Sequence, residues 1–464
     1  MDIKTFINKL KNNEIELFDY YKKLYKDLEQ IQKEYSPFSC LLSWKEIEEQ
    51  LNNLKNSKLR NKSLFGVPIS VKDAICVKDV STRSSSKILD GYEPLFDATV
   101  IKKIKDKGGI IIGKTLQDEF GFGGFAVNTG VDFPIPKNPF DKTRVAGGSS
   151  GGCGVITKLL ADKGYCHVSL GESTGGSIVS PANFCGVVGL CPTYGTVSRY
   201  GLLDYGNSLD KIGPIANNIE DTKILFDVIK GFDENDSTSI DIEKEKTKKN
   251  KTKKIALIKE TFENINDEIT NSIKDYLKKL DYKIEEISFP IINYALPVYY
   301  ILATAEASTN LAKLSGLKYG KEESPVDNHF DEYFSKIRGE NFGKEAKRRI
   351  LLGTFARMSG FRDAYYIRSA KIRTKLIEEY KKLFEKYEFI VTPVSPILPP
   401  KIEEIEKLTP MQNYAMDLMT VSPNLAGLPH ITFPINYSKE KFPIGILITA
   451  NFFEEDELLE FGKN

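Results

Sequence analysis

Histidine and paired cysteine are scarce in this sequence. Three histidines occur in 464 residues, and the six cysteines contain no Cys-x-x-Cys pair. Structural zinc sites and disulfide frameworks are built from these residue types at short, regular spacings. We therefore expect neither a disulfide framework nor a metal site in this chain.

Long apolar runs are missing as well, and the formal net charge is only +1. No stretch of about 18 apolar residues is available to span a membrane, and the amino-terminal segment is rich in acids and lysines, unlike a signal or transit peptide. Lys and Arg number 65 against 64 Asp and Glu. A chain with almost no net charge does not attract nucleic acid as a whole, and binds it only through a local basic patch or a partner subunit. The sequence predicts a cytoplasmic protein without membrane contact.

The residue pattern of the chain changes near residue 61. Residues 1–60 are Lys/Glu-rich with apolar side chains at helical spacing, which predicts a helical lead packed on the outside of the core. From 61 to 464, short β-branched runs alternate with helical segments. This alternation is typical of an α/β protein with a mixed β-sheet covered by helices on both faces. We expect a single domain, with residues 232–254 as an exposed charged connector.

Residues 108–115, GGIIIGKT, match the phosphate-loop pattern G-x-x-x-x-G-K-[ST]. A phosphate cradle needs backbone N–H groups that curl inward, whereas three consecutive isoleucines favour an extended strand. We therefore expect Lys114 at the end of a strand. A nucleotide-binding module remains as the alternative of a different class.

Two glycine-bracketed serine turns dominate residues 145–192. They are GGSSGG at 147–152 and TGGS at 174–177. Glycine lets a ligand approach the backbone closely, and serine beside bare N–H groups is what hydrolysis of an acyl compound requires. The pattern therefore indicates a serine nucleophile in this stretch.

A serine hydroxyl is a weak nucleophile at neutral pH and needs a base within hydrogen-bond reach. None of the three histidines lies in a motif-like setting, whereas Lys72 ends the apolar run GVPISVK. Burial at such a position disfavours the charged ammonium, so that a neutral amine would be available as the base.

The stretches GVPISVKD, NPFDKTRVAGGSSGG and GESTGGSIVSPANFCGVVGLCPTYG together resemble the amidase signature family, from about residue 65 to the end of the chain. The resemblance implies a Ser-Ser-Lys triad. Its nucleophile falls on Ser177, its bridging serine, preceded by a cis peptide, on Ser149, and its lysine on Lys72.

In this arrangement Lys72 takes a proton from Ser149, which takes one from Ser177 as that residue attacks an amide carbonyl. Three consecutive backbone N–H groups are expected to stabilise the oxyanion, namely those of Thr174, Gly175 and Gly176.

Two positions beside the nucleophile depart from the family motif GSDTGGSIR. The chain has Ser173 in place of the acid and Val179 in place of the arginine. Because both members of an expected ion pair are exchanged together, we interpret the change as structural; losing one buried charge alone would be costly. The departure also motivates an alternative, a catalytically weakened assembly subunit.

Later stretches resemble the glutamine-hydrolysing subunits of tRNA-dependent amidotransferases within this family. The resemblance implies that a Tyr, an Arg and an Asp hold the α-amino and α-carboxylate groups of glutamine. By position these are Tyr300, Arg349 and Asp417, with Tyr299 and Arg348 as off-by-one rivals. A bidentate guanidinium suits a carboxylate, and an aspartate suits an ammonium group. The matching stretches are residues 192–216, 345–356 and 413–434.

The resemblance therefore implies a glutaminase that supplies ammonia to a B-like partner subunit, which amidates Glu-tRNA(Gln) or Asp-tRNA(Asn). A C-like subunit is the second expected partner, and tRNA is expected to contact mainly the B-like subunit. No cofactor is expected in this chain, and ATP and Mg²⁺ are expected at the partner. A stand-alone amidase acting on small amides is the related alternative.

Overall fold

The computed structural model describes residues 1–245, 252–322 and 329–463. Its eleven described strands form one sheet. They are β1 (Phe38–Leu41), β2 (Pro68–Lys72), β3 (Ile110–Thr115), β4 (Val168–Ser173), β5 (Val188–Cys191), β6 (Lys211–Ala216), β7 (Lys254–Ile258), β8 (Lys283–Ile287), β9 (Phe389–Pro393), β10 (His430–Tyr437) and β11 (Pro443–Thr449).

The described part of the chain also forms sixteen α-helices. They are α1 (Ile3–Lys11), α2 (Leu17–Tyr35), α3 (Trp44–Lys55), α4 (Thr99–Asp106), α5 (Gly151–Asp162), α6 (Val179–Cys185), α7 (Ile219–Ile229), α8 (Asp267–Leu277), α9 (Ala295–Asn310), α10 (Phe330–Asn341), α11 (Lys344–Arg357), α12 (Arg368–Phe384), α13 (Ile402–Ile405), α14 (Pro410–Ala415), α15 (Leu418–Ala426) and α16 (Glu455–Phe461). None of these helices has the length and apolar character needed to cross a membrane.

The sheet is mixed, which confirms the predicted fold class. Its strand order is β1-β3-β2-β4-β6-β5-β10-β11-β9-β7-β8. Strand β2 runs parallel to both β3 and β4, while β4 runs antiparallel to β6. The carboxyl ends of β2 and β4 therefore meet at one edge of the sheet, where Lys72 and Ser173 end their strands.

Helices cover both faces of the sheet. On β6, Ile212 belongs to the apolar cluster that includes Phe226 of α7. Ile215, three residues further along the strand, belongs to the cluster that includes Val155 of α5. Successive side chains of a strand point to opposite faces, so the two isoleucines report two separate packing layers.

The amino-terminal lead, which the sequence predicts to be helical, also contains a strand. Between α2 and α3 it contributes β1, which pairs antiparallel with β3 at the sheet edge. The helices α1 to α3 pack as expected: α2 buries Tyr21, Leu24, Leu28 and Ile31, which are spaced along one helical face.

The predicted exposed connector is partly anchored. Asp233 accepts hydrogen bonds from Thr99 and Ser198, both at 2.6 Å, and Asp236 accepts one from the backbone of Arg199 at 2.8 Å. Both aspartates are buried. The first part of the 232–254 segment is therefore fastened to the core, and residues 246–251 lie outside the described residues.

The phosphate-loop match is a strand. Residues 110–115 form β3, and Lys114 is fully buried, with its ammonium donating to the Ile75 carbonyl at 2.6 Å and the Thr82 hydroxyl at 2.7 Å. The backbone N–H groups of a strand cannot curl around a phosphate, and this lysine is already engaged. The geometry argues against nucleotide binding at this motif.

Candidate active site

Lys72 lies at the end of β2 and is completely buried. Its ammonium nitrogen lies 2.7 Å from the Ser149 hydroxyl, 2.9 Å from the Glu172 carbonyl and 2.8 Å from the Glu172 carboxylate oxygen Oε2. These three acceptors match the three hydrogens of an ammonium group. Lys72 is buried at the end of an apolar strand, as the sequence predicts, and a carboxylate that the sequence analysis did not anticipate lies directly beside it.

Ser149 belongs to the first serine turn, which leads into α5. The peptide bond between Gly148 and Ser149 is cis, and Gly147 has a positive φ of 81°. A Cβ atom at Gly147 would lie 2.8 Å from the carbonyl oxygen of Ser180, in the turn of the helix that follows Ser177. Glycine is therefore required here on two counts, backbone conformation and close packing of the two turns.

Ser177 lies in the second serine turn, between β4 and α6. The Ser150 backbone N–H donates to the Ser177 carbonyl at 3.1 Å, which fastens the two turns together. Ser177 is 6% exposed, whereas Lys72 and Ser149 are at 0%. Within the described chain its hydroxyl makes no hydrogen bond. The structure thus brings the three predicted triad residues to one place, with the predicted nucleophile nearest to solvent.

The backbone before Ser177 passes close to neighbouring side chains. A Cβ atom at Gly175 would lie 3.0 Å from the Tyr299 hydroxyl, so only glycine fits without displacement. In the part of the chain that the structure describes, the N–H groups of Gly175 and Gly176 donate to no acceptor. Unpaired N–H groups beside a serine are able to bind a developing oxyanion.

Glu172 is a site residue that the sequence reasoning missed. Its carboxylate is buried; Oε2 contacts Lys72, and Oε1 lies 3.0 Å from the Thr174 hydroxyl. The same hydroxyl lies 2.8 Å from Oδ1 of Asp210. The available signal was the motif GEST, which has an acid one position before the acid of the family motif. The departure at Ser173 is therefore accompanied by a new carboxylate at residue 172.

The two exchanged positions are accommodated without charge. The Ser173 hydroxyl donates to the Gly175 carbonyl at 3.0 Å, and Val179 packs in a small apolar cluster with Val394 and Leu447. No unpaired charge is left where the ion pair of the motif would be, which fits a structural exchange.

The predicted substrate clamp is assembled from three distant segments. The Tyr300 hydroxyl donates to Asp417 Oδ2 at 2.6 Å. Arg349, 2% exposed, donates from Nε to Glu345 at 2.8 Å and from Nη1 to the Tyr205 hydroxyl at 2.6 Å. Burial raises the pKa of Asp417, and the Tyr300 hydrogen bond and the charge of Arg349 oppose that rise.

The rival residues occupy other positions. The Tyr299 hydroxyl lies beside Gly175 instead of Asp417. The Arg348 side chain is 44% exposed and pairs with Glu345. Both Arg348 and Arg349 line a cavity of about 50 Å³ together with Tyr300. The structure therefore brings Tyr300, Arg349 and Asp417 together and leaves Tyr299 out of that group.

Four aromatic rings surround the Arg349 guanidinium, a feature without a local sequence signal. Their centroids lie 5.1 to 5.8 Å from its central carbon, and they belong to Phe122, Tyr205, Tyr300 and Tyr414. Ring faces attract a cation at this range. The cage holds the positive charge in a fixed place without neutralising it.

The described residues contain no group of three or more His, Cys, Asp or Glu side chains arranged to hold a metal ion. A serine, a serine and a lysine at the edge of a mixed sheet define the class of serine-dependent amide hydrolases. A sequence model of the amidase family matches residues 19–459. The chain belongs to the amidase family.

Curated relatives narrow the comparison to the A subunits of glutamyl-tRNA(Gln) amidotransferases. The chain is 40% identical to the A subunit of this enzyme from Sulfolobus acidocaldarius, over 100% of this chain and 97% of the relative. It is 44% identical to the corresponding protein of Archaeoglobus fulgidus, over 86% of this chain and 85% of the relative.

A solved structure agrees with these sequence relatives. The crystal structure of the glutamyl-tRNA(Gln) amidotransferase A subunit from Thermotoga maritima superposes with a TM-score of 0.78 at 32% identity, covering 99% of this chain and 92% of that one. A more distant amidase structure, at 22% identity and a TM-score of 0.80, shares the fold.

Proposed function

We propose that this chain is the glutaminase subunit of a tRNA-dependent amidotransferase. It hydrolyses glutamine to glutamate and ammonia, and a partner subunit uses the ammonia to convert Glu-tRNA(Gln) to Gln-tRNA(Gln), with Asp-tRNA(Asn) as a second substrate of the complex. The observation that carries the proposal is the 2.7 Å contact between Lys72 and Ser149, in a turn fastened to that of Ser177. The name of the relatives supplies the acceptor of the amide group, glutamyl-tRNA(Gln).

The chemistry begins at Ser177. Its oxygen forms a bond to the amide carbon of glutamine while its proton passes to Ser149, and the proton of Ser149 passes to Lys72. The N–H groups of Gly175 and Gly176, with that of Thr174, stabilise the oxyanion.

The second half of the cycle returns these protons. The carbon–nitrogen bond breaks as the relay protonates the leaving group, which departs as ammonia. Water then attacks the acyl-enzyme, and Ser177 recovers its proton. Every proton moves along atoms of this chain, and the net reaction is the hydrolysis of one amide bond.

The clamp fixes the other end of the substrate. The guanidinium of Arg349 binds the α-carboxylate, and Asp417, oriented by Tyr300, binds the α-ammonium group. A guanidinium held by Glu345 and four rings is placed before the substrate arrives, so that little conformational freedom is lost on binding. The clamp therefore selects an α-amino acid over a simple amide.

The proposal extends to partners. A B-like subunit would bind tRNA, ATP and Mg²⁺, and a C-like subunit would complete a cytoplasmic heterotrimer. The near-zero net charge of this chain supports a division of labour in which the partner holds most of the tRNA.

The test is ammonia release from glutamine by the purified chain, alone and with candidate B and C subunits. Wild type is compared with Ser177→Ala. We expect the variant to fold normally, as judged by its thermal unfolding, and to lose activity. Retained activity in Ser177→Ala rules out the mechanism.

The same assay separates the alternatives. Turnover of simple amides without any response to partners or tRNA identifies a stand-alone amidase. Assembly with the partners but no glutamine hydrolysis under any condition identifies a weakened assembly subunit. ATP binding that Lys114→Ala abolishes would restore the nucleotide-binding alternative.

A further inference from the structure

The polar groups around the Lys72 nitrogen can accommodate an ammonium group. Its three contacts are with two acceptors, the Glu172 carbonyl and the Glu172 carboxylate, and with the Ser149 hydroxyl, which can accept or donate a hydrogen bond. A base has to offer a lone pair to Ser149, and an ammonium group has none. The relay therefore needs a place to which Lys72 transfers one proton before the attack.

The Glu172 carboxylate is the acceptor best placed for that proton. Its Oε2 lies 2.8 Å from the Lys72 nitrogen, and both side chains are almost completely shielded from solvent, at 0% and 4% exposure. In a buried pair the charged and neutral forms lie closer in free energy than in water, because burial penalises both charges. Proton transfer within the pair converts ammonium and carboxylate into amine and carboxylic acid without any outside reactant.

The other oxygen of Glu172 is held by a shared hydroxyl. Thr174 Oγ1 lies 3.0 Å from Glu172 Oε1 and 2.8 Å from Asp210 Oδ1. A hydroxyl has one hydrogen and can donate to only one carboxylate, so the second contact is a hydrogen bond only if a carboxyl group donates to Thr174. Both contacts are hydrogen bonds when one of the two carboxyl groups carries a proton.

Asp210 is the residue that fits this requirement. It is buried, and burial together with the charge of Glu172 holds the pKa of Asp210 well above its ordinary value. A protonated Asp210 donates to Thr174, and Thr174 then donates to Glu172. The carboxylate of Glu172 is thereby oriented with Oε2 toward Lys72.

We propose that Glu172 is a positioning residue for amide hydrolysis, which takes the proton of Lys72 so that its amine can act on Ser149, while Thr174 and Asp210 hold the carboxylate in place. The proposal rests on the proposed function, because it presupposes the relay from Ser177. In each cycle Glu172 holds the proton while the amine exchanges protons with Ser149, and it returns the proton to Lys72 at the end.

The relay has a pH signature. Transfer between Lys72 and Glu172 leaves the proton count of the protein unchanged, so the reactivity of Ser177 does not vary with pH around neutrality. Without the carboxylate, the proton of Lys72 has no acceptor within the site and must leave for solvent before the attack, so the reactivity of Ser177 increases with pH. Other titratable groups facing the pair are Asp210, Asp118, whose pKa burial raises to about 6, and the thiols of Cys153 and Cys191, whose pKa values burial raises.

The test measures how fast a fluorophosphonate probe labels Ser177 between about pH 6.5 and pH 8.5. Wild type and the variants are compared across this interval around neutrality. The serine oxygen bonds to phosphorus, fluoride leaves, and the serine proton enters the relay. We expect a flat profile for wild type. Glu172→Gln, which keeps the shape, should label at least about 100-fold more slowly at pH 7, with a rate that climbs with pH.

Matched variants at the second carboxyl sharpen the test. In Asp210→Asn the amide donates to Thr174 as the protonated acid does, so the profile should stay flat and labelling should fall less than in Asp210→Ala. Asp210→Ala removes that donor and should slow labelling. Glu172→Ser, which has the residue of the family motif at that position, is the second variant if Glu172→Gln does not fold.

Each outcome decides one question. Labelling of Ser177→Ala at the wild-type rate overturns the proposed function itself. Loss of labelling in Ser177→Ala together with a flat, fast profile in Glu172→Gln or Glu172→Ser overturns only the role of Glu172. Equal damage from Asp210→Asn and Asp210→Ala overturns the role of the shared hydroxyl.

Discussion

Tyr300 donates its hydroxyl hydrogen to Asp417 at 2.6 Å, and the two residues come from segments 117 positions apart. The contact orients a buried carboxylate whose other oxygen lies against Gly124, where a Cβ atom would come within 2.8 Å. A carboxylate confined on both oxygens has little freedom to rotate. The relationship gives the clamp a geometry that can be tested one hydrogen bond at a time.

Tyr300→Phe removes the donor to Asp417 and keeps the ring. We expect the KM for glutamine to rise about tenfold, because a hydrogen bond to a charged group contributes about 1.5 kcal/mol, with a smaller change in kcat. Steady-state ammonia release measures both parameters. Tyr299→Phe is the matched control, since its hydroxyl does not contact Asp417, and an equal rise in KM for both variants would contradict the assignment.

Arg349→Lys tests the guanidinium of the clamp. Lysine cannot reach Glu345 and the Tyr205 hydroxyl together, and it lacks the fork that binds a carboxylate bidentately. The KM for glutamine should rise at least about tenfold, whereas turnover of an amide without an α-carboxylate should change little. Arg348→Lys changes a half-exposed side chain, and its turnover of both substrates should stay close to that of wild type. Equal losses for the two substrates would show that the arginine serves stability alone.

Ser149→Ala tests the middle of the relay. The variant removes the only side-chain hydroxyl that contacts Lys72 in the described chain, and we expect kcat to fall by about 10² to 10⁴. Ser150→Ala is the control, because its hydroxyl donates to the Glu172 carbonyl at 3.0 Å and lies outside the relay. Ammonia release by Ser150→Ala should stay within about tenfold of wild type. Comparable losses in the two variants would assign both serines a structural role.

The features that sequence predicted are those with local signals. Three consecutive isoleucines predicted β3, and the paired glycine-serine turns with Lys72 predicted the cluster that the structure shows. The contact between Lys72 and Glu172 spans 100 residues, and the motif GEST, the one local signal for this acid, does not show that a lysine lies beside it. Strand β1 was missed for a related reason, since four residues of mixed polarity become a strand only when β3 offers an edge.

Long-range packing also explains why the sequence alone did not settle the residues of the clamp. The Tyr, Arg and Asp were predicted by resemblance, and their sequence context alone left the choice between Tyr299 and Tyr300 open. Adjacent residues on a helix point in directions about 100° apart, so the choice depends on how α9 is rotated against α11 and α15. That rotation is set by packing across the domain, which a short motif does not record.

Glu119 couples the stability of the protein to pH near neutrality. Its carboxylate accepts a hydrogen bond from Ser86 at 2.5 Å and one from the Gly343 backbone at 2.9 Å, at the start of the helix that carries Arg349. Burial raises the pKa of Glu119 from 4.5 to about 7, and the two hydrogen bonds oppose the rise. Between these two values the folded protein binds more protons at this site than the unfolded chain. The contribution of Glu119 to the free energy of unfolding therefore falls as pH rises from about 4.5 to about 7, by at most about 3 kcal/mol.

Glu119→Gln removes this titration while its amide can still satisfy both neighbours. Urea unfolding is measured at pH 5 and pH 8. On going to pH 8, wild type should lose more free energy of unfolding than the variant, by up to about 3 kcal/mol. Glu49→Gln, on the exposed side of α3, should follow wild type at both pH values. If Glu119→Gln and wild type lose the same stability between the two pH values, Glu119 is already ionised at pH 5 and the proposed coupling is absent.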